Sequence, residues 1–152
     1  MIHRWSVLCK RSVVDSTTNQ ISLFDVVEKI EADVEVESME KLKNEGKGII
    51  AIPISLELVS YITGIDSDKH QGIEMRLTLI DSNGEQLQES FPTFDTPENT
   101  KNMRIRMGIQ GMPVKEKGMY FFNVWLKENE GKDFVSVAEI PIEIDIHIRE
   151  KR

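Results

Sequence analysis

Ile140-Pro141-Ile142-Glu143-Ile144-Asp145-Ile146-His147-Ile148-Arg149 is the stretch that decides the fold class. Isoleucine stands at every second position, and each residue between is charged, polar or proline. Because successive side chains of a β-strand point to opposite faces, this pattern predicts a strand with one apolar and one solvent-facing side. An α-helix would scatter the isoleucines around its whole circumference. The stretch therefore predicts β-structure.

The same alternation recurs along most of the chain, with turn residues between the alternating stretches. The clearest further examples are 30–36, 52–58, 73–79 and 103–109. Asp81-Ser82-Asn83-Gly84 follows one of them, and Asn-Gly is typical of a hairpin because it tolerates the positive φ of a tight turn. We expect an all-β fold of about eight strands, an antiparallel two-sheet β-sandwich of immunoglobulin-like or C2-like topology. A small β-barrel is the alternative.

Two further features bear on how the strands are arranged. Proline has no N–H to donate to a sheet, so Pro53 and Pro141 each predict a strand edge, a strand start or a bulge. Gly118-Met119-Tyr120 places a tyrosine at the start of a late strand, where immunoglobulin-like sandwiches use its hydroxyl to bond back across a corner between the sheets. This motif favours the sandwich over the barrel.

The composition describes one acidic globular domain spanning residues 1–152. The chain has 39% hydrophobic and 30% charged residues and a net charge of −7. An acidic domain repels phosphate backbones on average, so nucleic acid is not an expected partner. Basic spots occur at His3-Arg4, Lys10-Arg11, Arg104/Arg106 and 149–152, but none forms a long run.

The location of the protein is predicted from what its sequence lacks. No segment approaches the ~20 consecutive apolar residues of a membrane span. The first residues lack the apolar core and small-residue cleavage site of a signal peptide. We therefore expect a cytoplasmic protein with no membrane span. Cys9 is the single cysteine, and we expect a buried small hydrophobe; the alternative is a reactive thiol activated by Lys10 and Arg11.

The strand around residues 119–126 has bulky side chains on both faces. Tyr120, Phe122, Val124 and Leu126 share one face, while Met119, Phe121, Asn123 and Trp125 share the other. One set can line the core between the sheets, and the other needs separate cover. Loops or bulky neighbours could provide that cover. The alternative is an interaction surface formed by Phe121, Trp125 and Met119, which would bind a second copy of the chain or another protein.

The chemical motifs of enzymes and metal sites are not found in the sequence. Asp66-Ser67-Asp68 and the turn at 81–85 resemble calcium-loop fragments, but the twelfth position from Asp81, where an EF-hand needs Glu, is Pro92. The three histidines, His3, His70 and His147, have no metal-ligand spacing. We therefore expect no catalytic residue, metal or cofactor, and a non-enzymatic binding or assembly module acting through a strand face or sheet edge. The alternative is a small-ligand module that reads calcium, a lipid headgroup or carbohydrate with the end loops at 38–48, 63–72 and 92–100.

Four stretches together resemble an uncharacterised family of small bacterial proteins. They are Cys9–Asp15, Ile21–Ile30, Leu77–Gly84 and Gly118–Val124. The resemblance covers nearly all of the chain and rests on turns and core strands. It implies an all-β sandwich without an assigned activity, and it transfers no catalytic or binding residue.

Overall fold

The computed structural model describes residues 1–36, 40, 48–66, 72–127 and 133–149. Within them the chain forms ten β-strands, so the all-β prediction is confirmed. The strands are β1 Ile2–Val14, β2 Ile21–Val26, β3 Lys29–Glu35, β4 Ile50–Thr63, β5 Gly72–Ile80, β6 Gln86–Ser90, β7 Thr93–Asp95, β8 Asn102–Val114, β9 Gly118–Lys127 and β10 Val135–Arg149. The number exceeds the expected eight partly because β7 lies in the segment predicted as a loop.

The strands form two sheets, as expected for a sandwich. The first sheet has the order β2-β1-β4-β8, and the second has the order β3-β10-β9-β5-β6, with β7 also paired to β5. Neighbouring strands are antiparallel except β3 and β10, which are parallel with Ile30 opposite Ile144. The alternating pattern predicts both strands, but it cannot reveal this direction because alternation is the same in parallel and antiparallel strands.

The core lies between the two sheets. It includes the isoleucine face of β10 and one of the two faces of β9. Ile142 and Ile144 of the isoleucine stretch are buried, whereas Ile148 at its end is exposed. On β9, the set that contains Tyr120 and Phe122 is buried, so it is the inward-facing set. Complete burial of one such side chain contributes roughly 1.5–3 kcal/mol, which makes these positions decisive for the fold.

The tyrosine corner joins the two sheets where β8 leads into β9. The Tyr120 hydroxyl donates to the carbonyl oxygen of Glu116 at 2.7 Å and accepts from the N–H groups of Lys115 at 3.1 Å and Glu116 at 3.2 Å. Because β8 belongs to the first sheet and β9 to the second, these bonds hold the connection between the layers, as the sequence predicts.

Both prolines lie where a missing N–H is tolerated. The β4–β8 register shifts between Ile52 and Ser55, so Pro53 is in a bulge. Pro141 pairs with β9, but β3 joins the other side of β10 only from Glu143 onward. At Pro141 the strand therefore has a neighbour on one side.

The hairpin formed by β1 and β2 crosses over the outer side of the first sheet. Pairing between β1 and β4 ends at Cys9. Beyond it, the N–H of Ser12 donates to Glu57 of β4 at 3.0 Å, and Arg104 of β8 donates to Asn19 at the hairpin tip at 3.2 Å. The hairpin thus reaches across β4 to β8.

Candidate binding surfaces

The outward-facing side of β9 forms the predicted interaction surface, which we call the β9 face. It consists of three rows across β5, β9 and β10, together with Met119. The rows are Ile80–Phe121–Pro141, Thr78–Asn123–Glu139 and Arg76–Trp125–Ser136.

The first row is an apolar strip on a solvent-facing side of the sheet. Phe121 lies directly opposite Ile80 on one neighbour and Pro141 on the other. Phe121 is half-buried, and Met119, two residues earlier, is 39% exposed. The cover of Phe121 therefore includes its cross-strand neighbours, while Met119 extends the apolar area to the surface.

Trp125 is held by a charged neighbour. The guanidinium carbon of Arg76 lies 5.2 Å from the centre of the Trp125 ring, and Arg76 also pairs with Glu89 at 2.6 Å. An arginine stacked on an aromatic ring is a favourable cation–π contact. Trp125 is half-buried, and Arg76 is one of the bulky neighbours that shield it from water.

The middle of the β9 face contains buried polar atoms without partners. In the described part of the chain, the Thr78 hydroxyl, the Asn123 side-chain oxygen and the Trp125 indole nitrogen make no hydrogen bond. Thr78 is 1% exposed and Asn123 is 8% exposed, although both lie on the outward side. A buried polar atom that finds no partner costs about 1–3 kcal/mol.

A second surface is a cleft on the first sheet, which we call the arginine cleft. It has a volume of about 460 Å³. It lies between the tip of the β1–β2 hairpin, strands β4 and β8, and the segment that precedes β8. Its lining residues are Val14, Asn19, Tyr61, Asp95, Pro97, Thr100, Asn102, Met103, Arg104 and Arg106.

Two arginines and a tyrosine form the polar part of the cleft. Arg104 lies opposite Tyr61 across β4 and β8, and its guanidinium carbon is 5.7 Å from the centre of the tyrosine ring. Tyr61 also contacts Trp5, with ring centres 5.7 Å apart. Arg106 lies two residues further along β8 and donates to the carbonyl oxygen of Ser12 at 3.4 Å.

Glu57 supplies the counter-charge beside the cleft. Its carboxylate accepts a hydrogen bond from the Ser12 hydroxyl and lies 3.7 Å from Arg106. The Ser12 hydrogen bond, together with the Arg106 charge, lowers the pKa of Glu57 from its ordinary value. Glu57 is therefore ionised at neutral pH and offsets part of the charge of Arg106.

The arginine cleft is not evident from the sequence because its parts are distant in the chain. Arg104 and Arg106 are one of the basic spots noted above, and their spacing of two places them on one face of a strand. This spacing is the sequence feature that could have indicated a basic site. The hairpin tip and Tyr61 of β4 join them only through the fold.

Edge strand β8 is the main alternative to a strand face as an interaction surface. It is 13 residues long, and among the described residues it pairs only with β4. Arg104 and Arg106 lie on it, and Pro113 cannot donate a hydrogen bond. Charged side chains and proline are features by which edge strands resist pairing with other chains, so the geometry favours a face over this edge.

The calcium-like turn at Asp81 has a structural explanation. One oxygen of the Asp81 carboxylate accepts from the N–H groups of Asn83 and Glu85, each at 2.9 Å. These bonds hold the predicted β5–β6 hairpin. The other calcium-like fragment, 66–68, is described only at Asp66. His70, most of the loop at 38–48 and residues 67–71 of the loop at 63–72 also lie outside the described residues.

A cluster of ionisable groups on β3 and β10 is a further feature that the sequence reasoning missed. Possible ligand atoms of Glu31, Asp145 and His147 lie within 4.8 Å of one another. The Lys29 ammonium pairs with Glu31 at 3.3 Å and with Asp145 at 3.4 Å. Because the Lys29 ammonium bridges the two carboxylates and offsets one of their two negative charges, the cluster is explained as a surface ion-pair network. His147 is exposed, in agreement with the expected solvated histidine.

Comparison of the sequence with protein-family models finds no match, and comparison with curated proteins finds none either. In the described part of the chain, no helix is sufficiently long and apolar to cross a membrane.

Proposed function

We propose that this protein is a non-enzymatic binding module that associates through the β9 face with a second copy of the chain or with another protein. The observation that carries the proposal is the apolar row Ile80–Phe121–Pro141, which crosses three adjacent strands on the solvent-facing side. The exposed side chain of Met119 extends this row. We also propose a cytoplasmic location, which is supported by the single free cysteine.

The physical reason is the unusual composition of this face. The outer side of an antiparallel sheet is ordinarily polar, because it remains in contact with water. Aromatic residues and arginine are instead the residues that dominate binding energy at protein interfaces. Phe121, Trp125 and Arg76 are of these types and lie together on the β9 face. A partner would remove the apolar row from water.

The proposal predicts self-association that depends on the β9 face. Light scattering over a range of concentrations should show a mass above that of the monomer. Trp125→Ala and Phe121→Ser should each weaken the association about tenfold, since truncation of a central interface residue costs roughly 1–2 kcal/mol or more. Circular dichroism would establish that both variants remain folded.

Val26→Ser is the matched control, since Val26 is 56% exposed but lies on the first sheet. It should leave the association unchanged. A wild-type protein that stays monomeric at every concentration would reject a second copy as the partner. Equal loss of association in the Val26 variant would reject the β9 face as the surface.

A loop-based small-ligand module is the second candidate function, and one observation favours it. The predicted loop at 92–100 contributes Asp95, Pro97 and Thr100 to the arginine cleft. Two arginines that also line the cleft disfavour calcium, which binds to several anionic or neutral oxygen ligands. They favour a ligand that carries negative charge.

A further inference from the structure

We propose that the arginine cleft is a binding site for a nucleoside phosphate, with the phosphate at Arg104 and Arg106 and the base near Tyr61. The inference concerns a different sheet from the proposed β9-face association and does not rest on it. Its basis is a cleft that combines two guanidinium groups, an aromatic ring and apolar walls.

The two arginines account for the phosphate. They lie two residues apart on β8, so their side chains leave the strand on the same side, and both line the cleft. A guanidinium presents its N–H donors in a planar fork that matches phosphate oxygens in pairs. Two guanidinium groups that line one cleft therefore favour a phosphate group as the ligand.

The structural contacts of the arginines leave room for this role. Arg104 donates through Nη1 to Asn19 and lies over the Tyr61 ring. Arg106 donates through Nη2 to the carbonyl oxygen of Ser12 and lies 3.7 Å from Glu57. Because a guanidinium has five N–H donors, each arginine can hold the hairpin and also donate to a ligand. The contacts with the hairpin therefore do not exclude a ligand from the cleft beside them.

The tyrosine and the apolar wall account for the base. Tyr61 lines the cleft, and Val14, Pro97 and Met103 provide apolar contact nearby. Stacking of a base on an aromatic side chain contributes about 1–3 kcal/mol and is tolerant of base identity. A volume of about 460 Å³ falls within the ordinary range for small-molecule sites. Asn102 and Thr100 supply polar groups that can contact the sugar.

Charge explains why a small ligand is favoured over a polymer. The net charge of the chain is −7, which repels a long polyanion on average. The arginines act locally, and a mononucleotide placed between them experiences less of the distant acidic surface. Asp95 also lines the cleft and opposes the phosphate, so it provides a variant in which binding should improve.

The test uses Trp5, which contacts Tyr61, as the reporter. In a Trp125→Phe protein, Trp5 is the only tryptophan, and its fluorescence is measured during titration with AMP, adenosine, inorganic phosphate and a short oligothymidylate. We expect AMP to change the fluorescence and to bind more tightly than adenosine or inorganic phosphate. Tighter binding of the oligothymidylate than of AMP would assign the same nucleoside-phosphate chemistry to a single strand of nucleic acid.

Variants distinguish a binding role from a structural one. Arg104→Gln and Arg106→Gln should each weaken AMP binding about tenfold, the effect of losing one charged hydrogen bond. Asp95→Asn should strengthen it about threefold, a gain that loss of hairpin contacts could not produce. Arg149→Gln, on the second sheet, is the matched control and should have no effect.

Two results would overturn the inference. One is the absence of binding by both AMP and the oligothymidylate at low salt to the folded Trp125→Phe protein. The other is AMP binding that is unchanged in a folded protein carrying both arginine substitutions. Neither result bears on association through the β9 face, which is measured by light scattering on the protein with Trp125 intact.

Discussion

Cys9 shows, at the scale of one residue, that the pKa of a side chain depends on its neighbours in space rather than on those in sequence. In the sequence it precedes Lys10 and Arg11, whose charges would lower the pKa of a thiol. In the structure Cys9 is 0% exposed, and burial raises its pKa, with the negative charge of Glu57 raising it further. The expected buried hydrophobe is therefore confirmed, and the reactive-thiol alternative is not supported.

The first prediction follows from this raised pKa. Since a raised pKa favours the neutral thiol, Cys9 should remain protonated and unreactive at neutral pH. We expect Ellman's reagent to modify the native protein about a hundredfold more slowly than the protein in urea, because reaction requires an opening of the structure. Modification of the native protein at the rate of the unfolded chain would contradict the burial of Cys9.

At the scale of elements, local sequence patterns predict strands and turns well. The alternating stretches 52–58 and 73–79 lie within β4 and β5, and the predicted Asn-Gly hairpin joins β5 and β6. In that turn Gly84 has a φ of +82° and donates its N–H to the carbonyl oxygen of Asp81 at 3.0 Å. The turn is predicted correctly because backbone conformation in a tight turn depends mainly on the residues within it.

The second prediction tests that turn. Gly84→Ala places a Cβ on a residue with positive φ, and we expect the free energy of unfolding to fall by roughly 1–2 kcal/mol. Urea denaturation followed by circular dichroism would measure it. Gly108→Ala is the matched control, since a Cβ there meets nothing within 4 Å, and it should leave the stability unchanged or slightly raised. Equal losses in both variants would contradict the role assigned to φ.

At the scale of the whole molecule, the two sheets share one core. The buried cluster includes Leu58 and Ile62 of the first sheet and Phe122 and Ile142 of the second. The Tyr120 corner joins the layers, and the chain enters the second sheet early through β3. If either sheet unfolded, the apolar side chains of the other would be exposed to water. We therefore expect the chain to fold as a single domain.

The third prediction is cooperative unfolding detected from both sheets. Trp5 lies on β1 and Trp125 on β9, so Trp125→Phe and Trp5→Phe isolate a reporter for each. Within each variant, the fluorescence and circular dichroism transitions in urea should coincide, as expected for a two-state domain. Separate fluorescence and circular dichroism midpoints in either variant would show that the sheets unfold independently.

The sequence by itself determined the all-β class, the Asn-Gly hairpin and the division of the β9 side chains into two opposite sets. These depend on the alternation of side chains and on the local conformational preferences of asparagine and glycine. It also identified Phe121, Trp125 and Met119 as the outward set, whose role as an interaction surface stays a prediction. Only the tertiary structure decided the parallel pairing of β3 with β10 and the arrangement of the arginine cleft. Both depend on contacts between distant segments, and alternation within a strand carries no information about which strand lies beside it.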